Sequence, residues 1–178
     1  DYAQAIAECC HCASCKDCLA WLAVNGAGAE SEPPFCALTP FLDKLCKSLE
    51  TLLPLAERLG LTVAVENMLP GTNRKFGSEP EHLSAVAEKM AHPALGFCLD
   101  TGHATVSRKI EGIGEFFDAF GDRLVCFHLS DTAGDRDMHI APGKGNVDWG
   151  TVFRRAAALA DGPAMCIEVP RSEEHTSE

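Results

Sequence analysis

The chain has 178 residues, 46% of them hydrophobic and 23% charged, with a net charge of −11. That is enough chain for one domain with its own core, and the composition is that of a soluble globular protein. The apolar runs are too short to cross a membrane. The acidic balance disfavours a nucleic-acid partner, whose phosphates demand clustered Lys and Arg.

The N-terminus, DYAQAIAECC, has no basic region of the kind that opens a signal peptide, so a cytoplasmic protein is expected. Asp1 is not a start methionine, and the chain reads as beginning inside a longer protein. Residues 3–18 are compatible with a helix carrying Cys9, Cys10, Cys12, Cys15 and Cys18. Without a secretion signal these read as reduced thiols packed on a helix, a zinc or cluster site being the alternative. LAWLAVN, residues 19–25, reads as a buried strand, and a loop rich in Gly and Pro follows it to residue 38.

Thr39 and Pro40 mark a helix start, and Leu45, Leu49, Leu52, Leu53, Ala56 and Leu59 supply its apolar positions. Pro54 lies within this helix and predicts a kink, and Gly60 predicts its end. A strand over 61–66 leads into the loop MLPGTNRKFG. Ser78 and Glu81 predict a capping box with Pro80 in the first turn, and His92-Pro93 predicts the stop. A strand over 95–100 precedes TGHATVSRK, which reads as a loop, and a helix follows near 111–120. A strand over 123–129 opens a loop of about twenty residues. Asp148 predicts the cap of a last helix reaching about Ala160, and a strand over 164–169 closes the series. The tail RSEEHTSE, residues 171–178, reads as disordered and resembles the translation of a sequencing-adapter oligonucleotide.

Strands alternating with helices, each strand nearly continuous in apolar residues, predict an α/β protein with a covered parallel sheet. Four of the strands end on groups able to bind a metal: LTVAVE on Glu66, LGFCLD on Asp100, LVCFH on His128 and AMCIE on Glu168. Parallel strands laid side by side gather these at one end of the sheet. An open doubly wound sheet places ligands mainly at one switch point, whereas a TIM (β/α)8 barrel builds its site from successive strand ends. A barrel is therefore expected, present as a C-terminal piece with about three strands missing upstream.

Three carboxylates and an imidazole suit a hard divalent cation, Mn²⁺ first, with Mg²⁺, Co²⁺ or Zn²⁺ as alternatives. Such a cation is a Lewis acid able to stabilise an enediolate, and two flanking carboxylates can take and return the proton. His103 follows Asp100 closely enough to reach the same pocket. Asp137 and His139 read either as a second ligand pair or as an ordinary polar loop. The segment GKGN, residues 143–146, is too short for a nucleotide-phosphate loop, but Lys144 is placed to contact an anionic substrate.

Together, VAVEN, LDTGHA, FHLSD, DMHIAPGKGNVDW and CIEVP resemble the sugar phosphate isomerase/epimerase group of the xylose-isomerase-like TIM barrels, over about residues 40–170. The resemblance implies barrel strands four to eight, with residues 1–170 forming a partial barrel. It implies one divalent metal on Glu66, Asp100, His128 and Glu168, with Glu66 and Glu168 as the acid/base pair. It places His103 near the substrate, and Asp137, His139 and Lys144 are expected as further substrate contacts. The implied partner is a small carbohydrate, with no nucleic acid and no membrane; assembly as a homo-oligomer stays open.

Related epimerases carry a substrate-binding Arg after the metal-binding His, where this chain has Gly134, with Arg136 nearby. The type-four apurinic endonucleases resemble the chain at the same positions, where Glu66, Asp100, His103, His128, Asp137, His139 and Glu168 would hold three zinc ions. A third reading is an inactive piece of a barrel with open edges and an uncovered interior.

Overall fold

The computed structural model describes residues 39–70 and 76–170, with the isolated positions 20 and 24. The chain divides into two compact units, residues 1–48 and 49–178. The division falls inside helix α1 (Thr39–Arg58). The residues of the site lie in the second unit. The cysteine-rich stretch and the tail lie outside the described residues. So does the strand expected over 19–25, except for Ala20 and Val24, which are helical rather than extended.

Pro54 is accommodated inside α1. The helix closes as the sequence predicts: Gly60 takes φ +65°, Leu61 N–H reaches the Ala56 carbonyl and Gly60 N–H reaches that of Glu57. This paired closure satisfies carbonyls the helix end would orphan, and glycine adopts its left-handed residue at least cost.

Among the described residues, four parallel strands follow in the order β1 (Val63–Glu66), β2 (Leu95–Asp100), β3 (Leu124–Leu129) and β4 (Ala164–Ile167). Between them run α2 (Pro80–Lys89), α3 (Thr101–Arg108), α4 (Gly112–Phe120) and α5 (Trp149–Ala156). Each strand pairs with its successor in sequence, which is the topology expected of a βα repeat rather than of a switch-point sheet.

Alternate residues divide the sheet. Phe97, Leu99, Phe127 and Leu129 enter a buried cluster with Leu83 of α2, Phe116, Phe117 and Phe120 of α4, and Val152 of α5. Burying each of these large side chains contributes roughly 1.5–3 kcal/mol. Cys98, Asp100, Cys126 and His128 alternate with them and so point to the opposite face. A register irregularity at Phe97/Cys98 sets Phe97 opposite Leu124 and Cys98 opposite Cys126. The extra residue, Val125, lets Leu124 and Phe127 both stay buried. Gly96 is required beside it, because a Cβ there would overlap the Val125 side chain.

Three local expectations are corrected. TGHATVSR is helix α3, beginning immediately after β2, because the Asp100 side chain accepts the His103 N–H and caps it. The capping box at Ser78 does not form. Glu79 occupies the cap position of α2, Pro80 takes the first turn, and the buried Ser78 hydroxyl has no hydrogen-bond partner. The last helix ends at Ala156, short of Ala160. No described helix is long and apolar enough to cross a membrane.

Candidate metal and active site

The four strand-end residues meet. One ligand atom from each of Glu66, Asp100, His128 and Glu168 lies within 4.8 Å of the others. The backbone explains the convergence: Asp100 and His128 are register partners across β2 and β3, while Glu168 N–H bonds to the Leu129 carbonyl just beyond the β3–β4 ladder. His128 Nδ1 stands 3.0 Å from Glu66 Oε1 and 3.0 Å from Glu168 Oε2.

The strand ends are pinned by side chains that the sequence reading passed over. The Asn67 carboxamide pairs with the main chain of Asp100, accepting its N–H at 2.7 Å and donating to its carbonyl at 3.1 Å. One strand further, Thr101 Oγ1 donates to the Ser130 carbonyl at 2.7 Å and accepts the Ser130 N–H at 3.2 Å. Polar residues directly after strand ends were the available signal, in VEN and LDT. Their burial, however, is a property of the folded chain.

Asp100 is fully buried. Its Oδ1 accepts from His103 N–H, but its Oδ2 has no hydrogen-bond partner. Burial raises its pKa above the usual carboxylate range, with the His103 ring and N–H opposing, and Glu66 and Glu168 adding to the rise. A buried carboxylate with one free oxygen, facing two further carboxylates, is a place where a cation removes a cost. The donor set fits a hard divalent ion.

A second group adjoins the first. Ligand atoms of His103, Asp137 and His139 also lie within 4.8 Å of one another. His103 Nδ1 is 2.9 Å from the Asn67 carbonyl, and His139 Nδ1 is 3.1 Å from the Glu168 carbonyl. Carbonyls only accept, so each ring donates from Nδ1 and turns Nε2 toward Asp137 Oδ2, at 3.8 Å for His103 and 2.9 Å for His139. Such a cluster of acceptors needs a shared proton or cation. Burial opposes protonation of His139, but the Glu168 carbonyl and the Asp137 carboxylate outweigh it and raise the pKa. His139 takes φ +45°, a left-handed conformation that turns the chain here.

The loop over 130–148 is organised by Asp131. Its Oδ1 accepts from Thr132 and Val147 N–H, and its Oδ2 from Gly143 N–H and the Trp149 indole. Burial would raise the Asp131 pKa, but the Trp149 indole and the backbone N–H groups prevail and lower it. Gly145 packs where a Cβ would overlap the Thr132 carbonyl and Asp131 Oδ1. GKGN therefore serves the loop's fold. Lys144 is exposed, and its side chain makes no hydrogen bond or ion pair among the described residues. Arg136 is also exposed, its carbonyl accepting from Thr132 Oγ1.

Known proteins share this arrangement of strands. The profile of the xylose isomerase-like TIM barrel family matches residues 2–178, and the chain belongs to that family. It is 28% identical over 104 residues to the fructoselysine 3-epimerase of Escherichia coli O157:H7, covering 58% of this chain and 37% of that protein. Among solved structures it is similar to a D-tagatose 3-epimerase-like protein, at a TM-score of 0.64 and 24% identity over 77% of this chain and 52% of the other. Endonuclease IV from Thermus thermophilus also shares the fold, at a TM-score of 0.53 and 22% identity over 75% and 52%. The chain spans less than half the length of the curated relatives it matches.

Proposed function

We propose that the chain carries the metal-binding portion of a sugar isomerase or epimerase acting on a sugar, sugar phosphate or polyol-ketone. The observation that carries this reading is the convergence of Glu66, Asp100, His128 and Glu168 within 4.8 Å, around a buried carboxylate oxygen without a partner. These four residues would hold one divalent ion, Mn²⁺ by preference. When bound, the ion supplies Lewis acidity that lowers the cost of negative charge on a substrate carbonyl oxygen.

The chain's own residues would carry the proton. Glu66, partly buried on β1, takes it from the carbon beside the carbonyl; the C–H electron pair becomes the C=C bond of an enediolate. Glu168, across the site on β4's end and more exposed, returns a proton to carbon. Delivery from the opposite side inverts the centre. The pair His103 and His139, each held by a carbonyl through Nδ1, would present Nε2 to substrate hydroxyls beside Asp137. The experiment is incubation of the complete gene product with Mn²⁺ and a panel of ketoses in deuterated water. Deuterium appearing beside the carbonyl supports the reading; its absence across the panel, with metal bound, argues against it.

The second reading is a zinc phosphodiesterase of the apurinic-endonuclease type. The adjoining His103–Asp137–His139 group favours it, because two cation sites side by side suit a phosphate. Three bound zinc ions and cleavage at abasic sites would establish it. The net charge of −11 weighs the other way.

A further inference from the structure

Asn67 is one of several fully buried polar side chains among the described residues to which this chemistry gives no part. Its exposure is 0%. The backbone ladder between β1 and β2 makes its last bond from Asn67 N–H to the Cys98 carbonyl, at 3.4 Å. The side chain then continues the ladder where the backbone departs. Its carboxamide engages both main-chain polar groups of Asp100, at 2.7 and 3.1 Å. The Asn67 main-chain carbonyl faces His103 Nδ1 at 2.9 Å. Neutral imidazole has a single N–H, so this contact places the proton on Nδ1 and a lone pair on Nε2.

We propose that Asn67 is a positioning residue of the site: its carboxamide fixes the Asp100 main chain, from which the carboxylate projects, and its main-chain carbonyl fixes the ring and tautomer of His103, tying both to neighbouring Glu66. The inference rests on the metal-centre reading and goes beyond it. Groups that orient ligands from behind govern affinity nearly as strongly as the ligands themselves. Thr101 performs a similar main-chain pairing with Ser130 and also reaches the His128 carbonyl, at 3.4 Å, but it makes no contact with an imidazole ring nitrogen. Truncating Asn67 removes the side-chain partner of both main-chain groups of Asp100 and lets the Asn67 main-chain carbonyl swing away from the His103 ring.

The test is calorimetric titration with Mn²⁺, together with the ¹⁵N signals of the His103 ring, in the wild type and in Asn67→Ala. The variant should bind Mn²⁺ about 10- to 100-fold more weakly. Its two ring-nitrogen signals, well apart in the wild type, should move toward each other as the tautomer is released. Leu83→Ala, a truncation in the helix-side core, supplies the comparison: it destabilises the fold and should leave both readouts unchanged. Wild-type affinity and unmoved His103 signals in Asn67→Ala overturn the proposal. Should that variant fail to fold, Asn67→Ser takes its place, with the same direction at smaller size expected and wild-type values equally fatal. A wild type that binds no Mn²⁺ defeats the metal-centre reading instead, and the His103 signals alone then decide the role of Asn67.

Discussion

Glu66 and His128 stand on strands that do not pair, yet Oε1 of one lies 3.0 Å from Nδ1 of the other. β2 runs between them, and two strand spacings are about 10 Å. Both side chains lean over Asp100, on the face of the sheet away from the helices. The site is thus a product of parallel register: the inner-face residues at three successive strand ends share one space, and Glu168 closes it from the fourth.

Glu168→Gln tests the proton-transfer role. Glu168 is exposed, with its side chain lying against His128 and making no part of the core. The substitution should leave the circular dichroism spectrum and melting temperature nearly unchanged. Deuterium exchange by the complete protein should fall by about 10²- to 10⁴-fold, the usual size of a lost acid or base. Exchange at the wild-type rate would remove Glu168 from that role.

Asp100→Asn separates the cost of a buried charge from its use. The folded pKa of Asp100 is raised by burial. A raised carboxylate pKa means the folded state holds its proton longer than the unfolded one. Stability without metal therefore declines as pH climbs from the ordinary carboxylate value through the raised one. Asparagine keeps a side-chain oxygen to cap α3 and removes the charge, so metal-free stability at neutral pH should rise by about 1 kcal/mol. Stabilisation by added Mn²⁺ should largely vanish. Thermal melts with and without Mn²⁺, across pH, check both.

Asp131→Asn shows the opposite sign. Four donors hold the Asp131 pKa down despite its burial. The contribution is complete above the unfolded pKa of about 3.9 and is lost as pH falls through the depressed folded value. The variant should lose about 2–4 kcal/mol at neutral pH, and its deficit should shrink toward acid. Urea unfolding at several pH values measures the difference.

Gly145→Ala tests the loop's packing. A Cβ there overlaps the Thr132 carbonyl and Asp131 Oδ1, so the loop must shift. Destabilisation of about 1–3 kcal/mol is expected. Gly143→Ala meets no atom within 4 Å but sits at φ +85°, so its cost is conformational and of about 1 kcal/mol. A calorimetric melt of each variant compares the two.

The sequence made the strands legible because each is a short apolar run that ends abruptly on a charged or ionisable group. Glu66, Asp100, His128 and Glu168 could be named from that alone, and parallel order placed them together. Helix α3 was missed because Asp100 serves twice, as strand end and as helix cap, leaving no loop residues between. Ser78 looked like a cap because serine favours that position, whereas Glu79 holds it. GKGN read as too short for a phosphate loop, with Lys144 placed for an anionic substrate; what the segment could not reveal is that its glycines answer to Asp131. The parts of Asn67, Thr101 and Asp131 depend on which polar groups become buried beside which backbone, and no local pattern carries that information.

The central claim is that Glu66, Asp100, His128 and Glu168 form one divalent-cation site. The most direct test is titration of the protein with Mn²⁺, followed by calorimetry and electron paramagnetic resonance, beside His128→Ala. The account predicts Mn²⁺ bound at this site by the wild type, with the affinity lost in the variant while its fold persists. Absence of Mn²⁺ binding in the wild type, or binding undiminished by His128→Ala, would contradict it.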